Sequence, residues 1–315
     1  MSGQITRRES IRRIAAGSCA ALAGVGGGLV NAASTENIRW GQGAWMWAVK
    51  HRPGTLRITE MLDEIKAAGY TGVEGIFDKA TLAANNNMTL DYYKEELDKR
   101  DLVTTGSYLG DLNFHVRGEW DAIGELGRNF INRMQRVGGD VLILGPPPIR
   151  MEDGPEKREA FRNMAECFNE AGKWCADRGI KVGLHPHANQ LVMTAEEIDM
   201  IFENTDPRYF HMIPDVGHLM LGGCDPLQVM EKYKERIVYM HIKDAVPGFE
   251  SGSIWPFVKE LGRGEIDFPA VMRILKSAQF NGWLIGELDF SELPAPESIG
   301  ISMKYIRDKM LPIYR

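Results

Sequence analysis

Four stretches decide how this chain is read: KVGLHPH (181–187), FHMIPDVGH (210–218), VYMHIKDA (238–245) and GWLIGELDF (282–290). Each begins as a β-rich apolar run and ends in ionisable residues. Such runs read as strands buried on both faces, and a buried charge without a partner costs several kcal/mol, on the order of 2–7 even for a neutral polar group. Charged residues recurring at four such ends therefore call for a common partner.

Working outward, the same reading finds earlier strands at IRWGQGAW (38–45), GVEGIF (72–77), LVTTGSY (102–108) and DVLILGP (140–146). Helical patterns lie between them near 58–68, 89–100, 120–138, 155–178, 194–205, 225–237 and 268–279, with a last one at 297–311. Local signals mark their ends. Thr194-Ala195-Glu196-Glu197 reads as a capping box. Pro226 and Pro269 stand at helix starts, and Gly69, Gly138 and Gly179 close helices just before strands. Eight strands alternating with eight helices predict a single-domain α/β fold, the (β/α)8 barrel. An open doubly wound sheet is the other architecture with this alternation. It needs a Gly-rich turn for a nucleotide, and neither GxGxxG nor GxxxxGK[ST] occurs beyond the first 33 residues.

Those first residues are read apart from the barrel. Arg7-Arg8 precedes a small, apolar run from Ile14 to Val30, and Ala32 and Ala33 follow it. This resembles a twin-arginine export signal. It predicts a leader over 1–33, a barrel over 34–315 and a periplasmic location, without stable membrane insertion once the leader is gone. Its four Arg and one Glu would leave with it, taking the formal charge from -6 to -9. An acidic chain with 44% hydrophobic and 25% charged residues excludes disorder and argues against nucleic acid as a partner. Cys167 and Cys175 lie eight apart in a helical stretch, about 12 Å of rise, too far to bridge. With Cys224 they read as thiols rather than a disulfide framework.

Barrel enzymes carry their reactive groups at the C-terminal strand ends. Those ends hold Glu74, His185 and His187, Asp215 and His218, His241 and Lys243, and Glu287 and Asp289. Residues two apart on a strand share a face, so each pair can enter one cup. Mixed imidazole and carboxylate donors suit Mn²⁺, Co²⁺, Fe²⁺ or Zn²⁺ better than Ca²⁺. Plainer readings stand beside this one. A lone His is often a hydrogen-bonded core residue, Asp215 can cap a turn, and Glu287, Glu74 and Lys243 can form structural ion pairs. Trp45 and Trp47 can wall a sugar pocket or simply pack.

Taken together, VGLHPHANQLVMTAEEID (182–199), PDVGHLMLGGCDP (214–226), ERIVYMHIKDA (235–245), LGRGEIDFPAVMRIL (261–275) and GWLIGELD (282–289) resemble the sugar phosphate isomerase/epimerase family. This is the xylose isomerase-like TIM barrel superfamily, and the likeness is densest from 181 to 290. The resemblance implies one divalent metal (Mn, Co, Mg, Fe or Zn, with Mn favoured) on His185, Asp215, His241 and Glu287. It also implies substrate contacts from Glu74, His187, His218, Lys243 and Arg263. His185 departs from the family's usual Glu and is closer to the inosose dehydratase branch. Whether His185 or His187 is the fourth ligand stays open at this point.

Such a site supports proton abstraction beside a carbonyl, with an enediolate as intermediate. With one carboxylate replaced by His185, Glu287 is the candidate base, and His187 or His218 the acid for a leaving oxygen. The expectation is elimination on a keto-sugar, keto-glycoside or keto-inositol. A sugar isomerase or epimerase using the same metal, and a non-catalytic sugar-binding barrel, are the alternatives. No phosphate-binding Gly loop is visible, which favours an unphosphorylated carbohydrate substrate. A homo-oligomer is left open.

Overall fold

The computed structural model describes residues 37–50, 57–75 and 79–314. The expected export signal, and residues 76–77 of the second expected strand, lie outside the described residues. Eight parallel strands build the fold: β1 (Ile38–Gly43), β2 (Gly72–Glu74), β3 (Val103–Leu109), β4 (Val141–Leu144), β5 (Lys181–Leu184), β6 (Phe210–Met212), β7 (Tyr239–Ile242) and β8 (Gly282–Gly286). They run in the order β6-β5-β4-β3-β2-β1-β8-β7. The sheet's two ends meet through two parallel bridges, Met212 with Ile237 and Asp215 with His241. There His241 N–H donates to the Pro214 carbonyl at 3.0 Å. The barrel is thus nearly closed, and its last seam runs between two of the residues of interest.

The main helices fall where the apolar spacing places them. In α1 (Ile58–Ala68), Ile58, Met61, Leu62 and Ile65 are buried at the i, i+3, i+4, i+7 positions of one face. The helix ends at Gly69, whose φ of 101° is a left-handed value that a side chain would strain. In α2 (Ala195–Phe202), Thr194 and Glu197 form the expected capping box, each accepting from the other's backbone. Cys167, Cys175 and Cys224 carry free thiols.

Several strands stop earlier than their apolar runs suggest. The stretch 210–218 is not one strand: β6 ends at Met212, and Val216–Leu221 is a six-residue helix. Pro214 has no N–H for the ladder, and the Asp215 carboxylate instead accepts from His218 N–H at 3.0 Å. After β7 the chain leaves the barrel, and Asp244–Ala245 pairs antiparallel with Val258–Lys259. The last helix begins at Ala295 rather than 297, and its turns widen over Ile306–Met310. Trp45–Lys50 is helical, so Trp45 and Trp47 do not share a face. Trp47 is buried and donates to Glu64 at 2.6 Å, whereas Trp45 is exposed.

Val141, Ile143, Ile213, Tyr239, Trp283 and Ile285 form a separate apolar cluster that floors the barrel. Burial of such side chains stabilises by about 1.5–3 kcal/mol each. On that scale the floor, with the larger core under the helices, offsets a few charged groups buried above it at several kcal/mol each.

Candidate metal centre

The strand ends set each side chain. His185 follows β5 directly, Asp215 caps the short helix after β6, His241 lies in β7, Lys243 follows it, and Glu287 and Asp289 follow β8. Glu74 ends β2 where the pairing with β3 slips, Val73 opposing Thr104 and Glu74 opposing Gly106. Such an irregularity turns a strand end, and the Glu74 carboxylate reaches His241 on the other side of the barrel. Lys243 passes against Gly217, where an added Cβ would lie 2.3 Å from its Cγ. Only glycine leaves that path open.

His185, Asp215, His218, His241 and Lys243 are almost fully buried, and Glu74, Glu287 and Asp289 nearly so. His241 Nε2–H donates to Glu74 Oε2 at 2.7 Å, and that oxygen also accepts from Tyr239 O–H at 2.9 Å. Since Nε2 holds that proton, Nδ1 is the His241 nitrogen left for another partner. It lies 3.8 Å from Asp215 Oδ2. Lys243 Nζ donates to Asp289 and to His218 Nε2 at 3.0 Å, contacts Glu287, and stands 3.4 Å from Asp215 Oδ2. His187 Nδ1–H donates to the Ala188 carbonyl at 2.6 Å, which leaves Nε2 as its free acceptor. The rings of His187 and His218 lie 3.6 Å apart.

The charge does not balance. Lys243, and His241 when protonated, face the four carboxylates of Glu74, Asp215, Glu287 and Asp289. Burial pushes Glu287 up to about 8, assisted by Asp289 and Asp215 and only partly opposed by Lys243. Burial works against a charge on His241, yet Glu74, Glu287 and Asp215 together raise it to about 9. Burial holds His185 and His218 far below the ordinary imidazole value, and neighbouring His and Lys243 add to that. Those rings are neutral and keep lone pairs.

Candidate ligand atoms of His185, Asp215 and His241 all lie within 4.8 Å of one another, as do those of Asp215, His218 and Glu287. His185 Nδ1, Asp215 Oδ2 and His241 Nδ1 are buried without a hydrogen bond, and Glu287 Oε2, also without one, has the Lys243 ammonium as its ion-pair contact. Orphaned imidazole and carboxylate atoms around an excess of negative charge fit a divalent cation. His187 groups instead with His218 and Asp289.

Of the metal-ligand and substrate-contact residues expected from the resemblance, all but Arg263 come together here. Arg263 is half exposed, and its ion pair is with Glu260 at 3.6 Å. Its loop is held by Asp244, whose carboxylate accepts from the backbone of Ala245, Gly262, Gly264 and Ile266 at 2.9–3.2 Å. The Asp of HIKDA and the glycines of LGRGE are therefore a structural tie. Sequence reasoning passed over Tyr239, Thr105 and Tyr108. Tyr239 precedes His241 by two, the same-face spacing, and that signal was legible. Thr105, whose Oγ1 is 2.7 Å from Tyr239 O–H, and Tyr108, edge-on to His185 at 5.8 Å, carry no local signal.

A family model described as xylose isomerase-like TIM barrel matches residues 62–309. An inosose dehydratase of Bacillus velezensis is 26% identical over 305 residues, covering 88% of this chain and 98% of its own. One of Clostridium tetani is 31% identical over 212 residues, covering 63% and 67%. Among solved structures, the IolI protein with a bound zinc atom superposes with a TM-score of 0.71 at 16% identity, covering 88% of this chain and 98% of its own.

Proposed function

The chain belongs to the xylose isomerase-like TIM barrel family, and from that premise we propose that it is a divalent-metal-dependent dehydratase of a keto-inositol or related keto-sugar. The observation that carries the proposal is the set of orphaned donor atoms on His185, Asp215 and His241, with Glu287 grouped beside Asp215, within one negatively charged cup. These four residues would hold the ion, with His185 rather than His187 as the fourth because it groups with Asp215 and His241. A divalent ion bound there supplies positive charge for a carbonyl oxygen as the neighbouring carbon loses its proton.

The chain's own residues account for the rest. Glu287 is the carboxylate placed to act as the base toward a weakly acidic carbon. Glu74 fixes the His241 ring. His187 and His218 are placed to bring a proton to a departing hydroxyl, with Lys243 bonded to His218 as the adjacent source of positive charge. The C–H pair becomes a C=C bond as the C–O bond breaks, and one water leaves.

Histidine at 185 is what supports elimination over epimerisation, which needs a carboxylate base on each face of the substrate. Relatives named inosose dehydratase point the same way. Manganese is the ion we favour for this donor set. We also infer export to the periplasm, supported by Arg7-Arg8 and the apolar run behind them.

The test is NMR of the product formed from an inosose in D₂O by Mn²⁺-loaded protein. A dehydrated product is the expected result, and a deuterated stereoisomer overturns elimination.

A further inference from the structure

Between the antiparallel segments Asp244–Ala245 and Val258–Lys259 the chain makes an excursion over 246–257. It packs on the main core: Ile254 is buried within that core, and Phe249 and Phe257, which lie against it, meet edge to face at 5.6 Å. The excursion is anchored at two points. Asn189 Nδ2–H donates to the Gly252 carbonyl at 2.6 Å, and Trp255 stacks on Phe290 at 4.9 Å with ring planes 9° apart. Asn189 is two residues past His187, and Phe290 is one residue past Asp289. The excursion therefore spans from the β5 side of the cup to its β8 side.

Trp255 is the exception within this segment. Its neighbours Ile254 and Phe257 turn inward, yet Trp255 remains 47% exposed. Phe290 covers one face and fixes the plane of the indole, so the other face is presented without further loss of side-chain freedom. Phe290 follows Glu287 by three residues, a span of up to about 10 Å. Phe290, and with it the stacked Trp255, is therefore tied to the cup by that short stretch of chain. A flat apolar face suits the C–H face of a pyranose chair, whose hydroxyls point outward toward water.

We propose that Trp255 and Phe290 form a subsite for a second sugar ring, and that the substrate is a keto-glycoside in which the oxidised ring enters the cup and its partner ring stacks on Trp255. This rests on the reading of the cup as a carbohydrate site and narrows its substrate class.

Two measurements on the full metal-loaded chain test it. In ligand-observed saturation-transfer NMR with an unoxidised disaccharide, protons of one ring should receive saturation in wild type and lose most of it in Trp255→Ala. Absence of transfer in wild type, or transfer unchanged in the variant, overturns the subsite whether or not any substrate is turned over. In steady-state kinetics, the ratio of kcat/KM for a keto-disaccharide over that for an inosose should fall at least tenfold in Trp255→Ala, mainly through KM. A parallel loss on both substrates overturns the proposal and leaves the dehydratase reading intact. Failure to turn over either substrate while the disaccharide still binds at Trp255 supports the subsite and counts against the dehydratase.

Discussion

Two buried glutamates, one on the outside of the barrel and one in its mouth, have met the same desolvation in opposite ways. Glu197, at the start of α2, is 2% exposed, and its carboxylate accepts from Arg150 at 2.7 and 2.9 Å and from Lys157 at 2.8 Å. It also accepts from the backbone of Met193 and Thr194 at 2.8 and 3.0 Å. Burial pushes its carboxyl up, but these donors outweigh burial and hold it below the ordinary value. Glu287 is nearly as buried, faces two further carboxylates that share its Lys243 contact, and rises to about 8. A carboxylate with every lone pair satisfied by its own chain is finished as structure. One left short of donors at equal burial is held ready for a partner from outside the chain.

The largest expected effect separates these two roles. Glu287→Gln should lower kcat by about a thousandfold, within the range of a lost general base, and leave the chelated protein folded. Glu197→Ala should leave kcat within about twofold at low temperature. It should destabilise by about 3–5 kcal/mol, because Lys157 loses the charge it is buried against and the exposed Arg150 loses its partner. Activity assays and thermal melts on the same two proteins decide this. An inactive but fully stable Glu197→Ala protein would dissolve the distinction.

A smaller effect lies in pH. The carboxyl of Glu197 is below its ordinary 4.5 when folded, so its contribution is complete above that pH and is lost as pH falls through the folded value. The carboxyl of Glu287 is raised, so the folded, metal-free protein binds a proton that the unfolded chain releases. Its cost therefore grows as pH rises from 4.5 to about 8. Melting temperatures of chelated protein should show Glu287→Gln flattening the neutral limb and Glu197→Gln flattening the acid limb. Saturating Mn²⁺ should flatten the neutral limb of wild type as well. Identical neutral slopes in wild type and Glu287→Gln would remove the physical basis for a held-open site.

Much of this contrast could be read before any coordinates. The capping box announced Glu197 as a helix start, and the runs ending at His185, Asp215, His241 and Glu287 announced a shared cup. Both signals are local: a three-residue spacing in one case, an apolar run ending in a charge in the other. What stayed hidden depends on closure. Glu74 reads from sequence as a substrate contact or an ion-pair partner. Only the closed barrel puts it on His241, 167 positions away. Asp215 reads as the end of a strand, yet it caps a helix through Oδ1, because Pro214 had already broken the ladder, and this frees Oδ2. Arg150 and Lys157 show no spacing relative to Glu197 that would pair them with it.

The gentlest test runs through the floor beneath the cup. Glu74 Oε2 can only accept, so Tyr239 O–H donates to it, and Thr105 Oγ1, 2.7 Å from the phenol oxygen, donates in turn to Tyr239. Burial, with Glu74 beside it, raises Tyr239 well above the ordinary phenol value, so the phenol remains a donor. This chain holds Glu74 against His241 Nε2–H and leaves Nδ1 aimed into the cup. Loss of a carboxylate that orients a metal-bound imidazole costs about 10–100-fold in affinity. Tyr239 is one hydrogen bond further out, worth about 0.5–1.5 kcal/mol. Tyr239→Phe should therefore weaken Co²⁺ binding by about three- to tenfold in a titration of chelated protein, and Thr105→Val by less. If Tyr239→Phe lowers the melting temperature and leaves the Co²⁺ affinity untouched, the floor merely fills space, and the mouth owes its geometry to the strand ends alone.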